Sequence, residues 1–107
     1  MILTEKALEA FKEWYITNEV YDELGSNVKD MQVFNTLSKN IKNKIVVDWL
    51  DSVRLYIDFC PYLDDNDNLL YFWVFVNDNM VNGEYPNRHE ATSQAIITAN
   101  KIYNERN

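Results

Sequence analysis

Cysteine is nearly missing from this chain: Cys60 is the only one in 107 residues, which excludes an intramolecular disulfide and a cysteine-built metal cage. Glycine is almost as scarce. With Gly25 and Gly83 alone, there is no glycine-rich phosphate loop, no dinucleotide fingerprint and no nucleophile elbow. There is one histidine. His89-Glu90 begins like a zinc-protease helix, but the second histidine would fall at position 93, which is Ser93. Long apolar runs are also absent, the longest being Leu69 to Val76, far short of the ~20 residues that span a bilayer. Met1-Ile2-Leu3-Thr4-Glu5-Lys6 has neither a basic lead nor an unbroken apolar run, so no secretion leader is predicted. A lone thiol suits a reducing compartment, and the expectation is a cytoplasmic protein with no membrane contact.

Basic charge is the remaining scarcity. Ten Lys and Arg stand against seventeen Asp and Glu, a net −7, unevenly spread. Residues 1–25 carry −4 and residues 53–86 carry −5, whereas 26–52 and 87–107 each carry +1. Such a chain lacks the basic footprint that gripping a phosphate backbone requires, so direct nucleic-acid binding is not expected. The acidity is compatible with docking onto a basic protein surface.

What the sequence does hold is apolar and aromatic residues in quantity, 47% and 14% of the chain, with 25% charged. That is the composition of a folded domain, and the length fits one domain over 1–107. Folding at this size hides roughly two-thirds of the unfolded chain's surface, enough for one core without staples.

Thr4 is read as the cap of a first helix whose apolar stripe is Ala7, Leu8, Phe11, Trp14 and Tyr15. A continuation through Val20, Tyr21 and Leu24 is predicted to stop at Gly25. A second helix is predicted from about Val28 to Asp51, with Phe34, Leu37, Ile41, Ile45 and Trp49 inward and Lys39, Lys42 and Lys44 outward. It has a candidate break near Asn40, and its β-branched Ile45-Val46-Val47 also fits a strand. Two strands follow, Val53–Cys60 and Leu69–Asn77, joined by a turn-rich Pro61-Tyr62-Leu63-Asp64-Asp65-Asn66-Asp67-Asn68. Asn77 to Pro86 reads as a loop with a short edge strand near Met80-Val81. The last helix opens at Asn87 with Glu90 three residues on, and buries Ala91, Ala95, Ile96, Ala99, Ile102 and Tyr103. The fold class is α+β, helix-helix-strand-strand-helix, with helices packed on an antiparallel β-hairpin.

The residue types for chemistry are present only in fragments. Asp64-Asp65-Asn66-Asp67-Asn68 alternates ligand oxygens as a calcium loop does, but Leu69 and Phe75 stand where that loop needs glycine and glutamate, so a hairpin turn is the better reading. Asp48 and Asp51 share a helix side near its end, and Asp58 shares a strand face with Arg54, which suggests an ion pair. Ser52, Asp58 and His89 are the residue types of a triad, with nothing in the sequence to bring them together. Cys60 has acidic neighbours, unlike an activated thiol, and free cysteines are most often buried. No catalytic residue, metal ligand or cofactor is assigned, and an enzyme is not expected, a small enzyme with an unrecognised site being the second alternative to a binding role.

The hairpin is the informative region. With Val53, Leu55, Ile57 and Phe59 turned toward the helices, Leu70, Phe72, Val74 and Val76 turn inward too. The reverse face then carries Arg54, Tyr56, Asp58 and Cys60 beside Tyr71, Trp73 and Phe75. Aromatics mixed with a few polar groups are the make-up of a protein-binding hot spot. Either a helix covers that face and Trp73 is core, or Tyr56, Tyr71, Trp73 and Phe75 bind a partner protein; a homodimer burying the same face is a further alternative.

Val46-Val47-Asp48-Trp49-Leu50-Asp51-Ser52-Val53, and Asn87-Arg88-His89-Glu90-Ala91 with Ala99-Asn100-Lys101-Ile102-Tyr103-Asn104, resemble small proteins of bacteriophages and prophages, particularly of Bacteroidetes-type hosts. The chain departs from that pattern where Arg54 stands in place of a glycine. The resemblance implies a phage context and a bacterial cytoplasm, in which small acidic proteins often inhibit or redirect host machinery. It leaves two binding hypotheses: the aromatic face above, or an acidic nucleic-acid mimic presenting Glu5, Glu9, Glu13, Asp64, Asp65 and Asp67 to a basic host protein.

Overall fold

A computed structural model describes residues 3–17 and 31–107. Its elements are α1 (Glu5–Thr17), α2 (Met31–Thr36), α3 (Lys39–Ser52), β1 (Ile57–Leu63), β2 (Leu69–Val76), β3 (Asn79–Tyr85) and α4 (Arg88–Arg106). The fold is α+β, a three-stranded antiparallel sheet of order β1-β2-β3 with α4 packed across it. The continuation through Val20, Tyr21, Leu24 and Gly25, and the start of the second helix at Val28, lie outside the described residues. Among the described residues no helix is long and apolar enough to cross a membrane.

The core follows the stripes. Ala7, Phe11 and Tyr15 of α1 are buried together with Phe34 and Trp49. Phe11 lies 5.2 Å from Phe34 and 5.8 Å, edge-on, from Trp49, whose other side meets Tyr103 at 5.2 Å. Ala91, Ala95 and Ala99 are fully buried along α4, and such small side chains let a helix lie close to the sheet residues Val74 and Val76. Asn43 and Ser93, the buried polar pair, satisfy each other across α3 and α4 at 3.1 Å.

Several local readings are corrected. The second helix breaks at Leu37-Ser38, ahead of Asn40: Ser38 takes extended geometry and its hydroxyl accepts from the Ile41 amide, capping a new helix. The restart changes the phase, so Ile41 is 42% exposed while Asn43, Ile45, Val46, Trp49 and Leu50 turn inward. Ile45-Val46-Val47 is helical, as the reading of the second helix had it, and the strand alternative falls away. The first strand begins at Ile57 rather than Val53, because α3 ends in a Schellman motif. Arg54 donates to Asp51 O and Leu55 to Leu50 O, with Arg54 left-handed at φ +65° and Leu50 and Leu55 both buried. Thr4 does not cap α1 with its hydroxyl. That job falls to Asn104 of α4, whose Oδ1 accepts from the Ala7 amide at 2.8 Å.

The expected loop at 77–86 is a full strand. Asn77 and Asp78 are both left-handed (φ 49° and 67°) between the paired Val76 and Asn79, the geometry of a two-residue type I′ turn. Asn87 caps α4 as read, its Oδ1 accepting from the Glu90 amide at 2.9 Å.

Candidate functional site

Period-two alternation decides what each face of β2 presents. Phe72, Val74 and Val76 are buried toward α4, and Tyr71, Trp73 and Phe75 are half-buried on the reverse side. The register sets Phe75 opposite Asp58, Trp73 opposite Cys60 and Tyr71 opposite Tyr62 on β1, and Phe75 opposite Met80 on β3. None of the described helices packs on this side, since α4 contacts the sheet from the Val74 face.

The rings on the reverse side, which no described helix covers, touch one another. Tyr62 and Tyr71 stack at 5.0 Å with planes 5° apart, and Trp73 is tilted against both at 5.5 and 5.7 Å. Met80 and Tyr56 remain about half exposed at 52% and 51%. Crowding by its neighbours raises the Tyr71 hydroxyl above its ordinary value, with Glu84 and then Tyr62 adding to the shift.

The four residues named from sequence are therefore brought together only in part. Tyr71, Trp73 and Phe75 form a row on β2. Tyr56 precedes β1 and is tied to the sheet through its backbone, its N–H donating to Asn77 Oδ1 at 2.8 Å and its carbonyl accepting from the Asn77 amide at 2.9 Å. Tyr62, Met80 and Glu84 were missed. Tyr62 had been placed in the turn, and seeing Met80 and Glu84 required knowing that β3 is a strand. Leu70, expected inward, is 51% exposed: a register shift at Tyr62/Leu63 places it at the outer end of the hairpin, past the helices. Cys60 is exposed rather than buried, because β1 turns it to the bare side.

Neither sheet edge invites strand addition. Pro61 leaves β1 without one amide donor, and β3 carries a register shift opposite Phe72/Val74. Beside that shift Gly83 sits at φ +126°, where a Cβ would stand 2.7 Å from the Tyr85 hydroxyl, so only glycine fits.

The chemical fragments do not assemble. Ser52 donates its hydroxyl to Trp49 O in its own helix. Asp58 points to the bare side of the sheet, while His89 lies on α4, across it. His89 instead borders a cleft of about 230 Å³ with Lys44, Asp48 and Thr92. Arg54 lies in the left-handed turn before β1, so the strand alternation expected to pair it with Asp58 does not reach it. Asp64 is committed to its own turn. Its Oδ1 accepts from the amides of Asn66 (2.8 Å) and Asn68 (2.9 Å), bonds that hold its carboxyl below the usual value. Among the described residues no three His, Cys, Asp or Glu side chains cluster as metal ligands would.

Glu5 and the turn that holds Asp64, Asp65 and Asp67 lie at different ends of the fold. Glu5 begins α1 beside the C-terminal end of α4, which itself reaches the start of β1 through Arg106 Nη2 to Val53 O (3.3 Å). Asp64, Asp65 and Asp67 close the opposite end of β1. The chain matches no protein family, no curated protein and no solved structure with which it was compared.

Proposed function

We propose that the chain is a small, non-enzymatic interaction module that binds a partner protein through the reverse face of its sheet, in the phage context that its resemblance implies. The supporting observation is the row Tyr71, Trp73 and Phe75, extended by Tyr62 and Met80, on a sheet face that none of the described helices covers. Large aromatics with a few polar groups at the margin, here Asp58 and Glu84, favour protein recognition, and contiguous apolar faces of this kind are uncommon on isolated monomers. The nucleic-acid-mimic reading has less support, since Glu5 sits at the other end of the fold from Asp65 and Asp67 and the Asp64 carboxylate is already engaged.

The test is affinity capture from bacterial lysate with the wild type and Trp73→Ser as baits, at low and high salt. A protein retained by the wild type at high salt and lost with Trp73→Ser supports the aromatic face. Retention only at low salt, indifferent to Trp73, supports the mimic instead. If Trp73→Ser unfolds, Trp73 is core and the proposal fails.

A further inference from the structure

The outer end of the β1–β2 hairpin differs from the rest of the sheet. Arg88, the first residue of α4, lies over the rings of Phe59 and Phe72, 5.4 and 5.5 Å from their centres. Beyond that pair none of the described helices covers the hairpin. Leu63, Leu69 and Leu70 are then exposed at 45%, 45% and 51%, with Pro61 exposed beside them, while Tyr62 and Tyr71 stack on the other side. An apolar projection clad on both faces and closed by a turn that Asp64 ties with hydrogen bonds is shaped to enter a partner, not merely to lie against one.

Charge selects among occupants. From Leu55 to Asn87 there is no Lys, Arg or His, while Asp58, Asp64, Asp65, Asp67, Asp78 and Glu84 all fall within that span. Arg88 lies at the base of the hairpin, over Phe59 and Phe72, so the acids of the turn are left beyond it. A second copy docking tip to tip would set those acids against each other, and a nucleic acid would be repelled. A protein surface combining apolar side chains with Arg or Lys answers both features. Its cations would meet the exposed Asp65 and Asp67 and the open faces of Tyr62 and Tyr71.

We infer that the hairpin end is the docking element for a basic, apolar protein surface. This rests on the interaction-module reading and names the partner's chemistry. The experiment titrates the isotopically labelled chain with a synthetic peptide of alternating Arg and Leu, and separately with its Glu–Leu counterpart, following amide shifts by NMR. The Arg–Leu peptide is expected to perturb residues 61–71. Its binding should weaken tenfold or more in Leu69→Ser/Leu70→Ser, which are surface changes, and several-fold in Asp65→Asn/Asp67→Asn at low salt only. The inference is overturned if the Glu–Leu peptide binds equally, if neither peptide perturbs the tip, or if the leucine changes leave binding intact. It is also overturned if the chain sediments as a dimer that those leucine changes dissociate. Should it fail while Trp73-dependent capture persists, the broader reading stands without it.

Discussion

Two asparagines one turn apart on α4 hold the beginning of α1, and replacing one of them has a calculable cost. Asn104 Oδ1 accepts from the Ala7 amide at 2.8 Å, and its Nδ2 donates to Thr4 O at 3.1 Å. Asn100 Oδ1 accepts from the Thr4 amide at 2.8 Å, and its Nδ2 donates to the Thr4 hydroxyl at 3.1 Å. Ala7 is the third residue of α1, so its amide is one of the donors a helix start leaves without an internal partner. Losing a cap of this kind costs about 1 kcal/mol, within a range of ~0.5–2. The Thr4 carbonyl keeps the bond it accepts from the Leu8 amide, so losing the Asn104 donor adds little, about 0.5 kcal/mol. Asn104→Ala is therefore expected to lose about 1–2 kcal/mol, which for a domain this size lowers Tm by roughly 5–15 °C. Asn104→Asp keeps the acceptor and places a negative charge at a helix N-terminus, so it should lose less than half as much. Thermal melts by circular dichroism measure both, and hydrogen exchange at the Ala7 amide locates the effect. An Asn104→Ala melt within about 1 °C of the wild type, or an aspartate variant weaker than alanine, would refute the clamp.

The same geometry sets further expectations. On β2, Phe72→Ala should cost about 3–5 kcal/mol by emptying a buried site, whereas Trp73→Ser loses its ring contacts and the buried part of a half-exposed side chain, about 2 kcal/mol, as urea titrations can tell apart. Arg54→Gly should stabilise by about 0.5–1 kcal/mol, the left-handed penalty of ~1–2 kcal/mol being partly offset by glycine's freer unfolded state; a loss of stability would contradict the Schellman assignment. The Asp51 carboxyl is raised by desolvation and by Asp48, so its ionisation opposes folding above its unfolded pKa. Asp51→Asn should thus stabilise at neutral pH, with the difference vanishing in acid, below the pKa of both states. Asp64 is the opposite case: its depressed pKa gives stability that is present above its unfolded value and lost as pH falls through the folded one. The amides of Asn66 and Asn68 should accordingly lose exchange protection in acid.

Much of this fold is readable from side-chain period. The stripe of α1, the start of α4 at Asn87 and the inward set Phe72, Val74 and Val76 follow from spacing and turn chemistry alone. The failures share a physical cause, in that a stop was built without the residue that usually announces it. Arg54 occupies a left-handed position where glycine is usual, so α3 seems to run straight into a strand. Asn77-Asp78 makes a type I′ turn without glycine, and β3 is too polar to stand out, which hid Met80 and Glu84 from the site. Ser38 caps α3 with no acid in the first turn to mark a helix start. The bare hairpin end was not legible at all, because it depends on where α4 begins relative to β1 and β2, a tertiary distance with no local signature. Tyr71, Trp73 and Phe75 were legible because alternation along one strand is local.

Whether the reverse face is open can be tested through a side chain already in place. Cys60, the only thiol, is exposed and paired in register with Trp73. Titrating the native protein with an aromatic disulfide reagent reads directly whether that side of the sheet is open. A bare face predicts one thiol reacting within about tenfold of a free cysteine's rate, without denaturant and with the circular dichroism spectrum unchanged. A thiol that reacts only on unfolding would mean the face is covered, and the aromatic row would then be core.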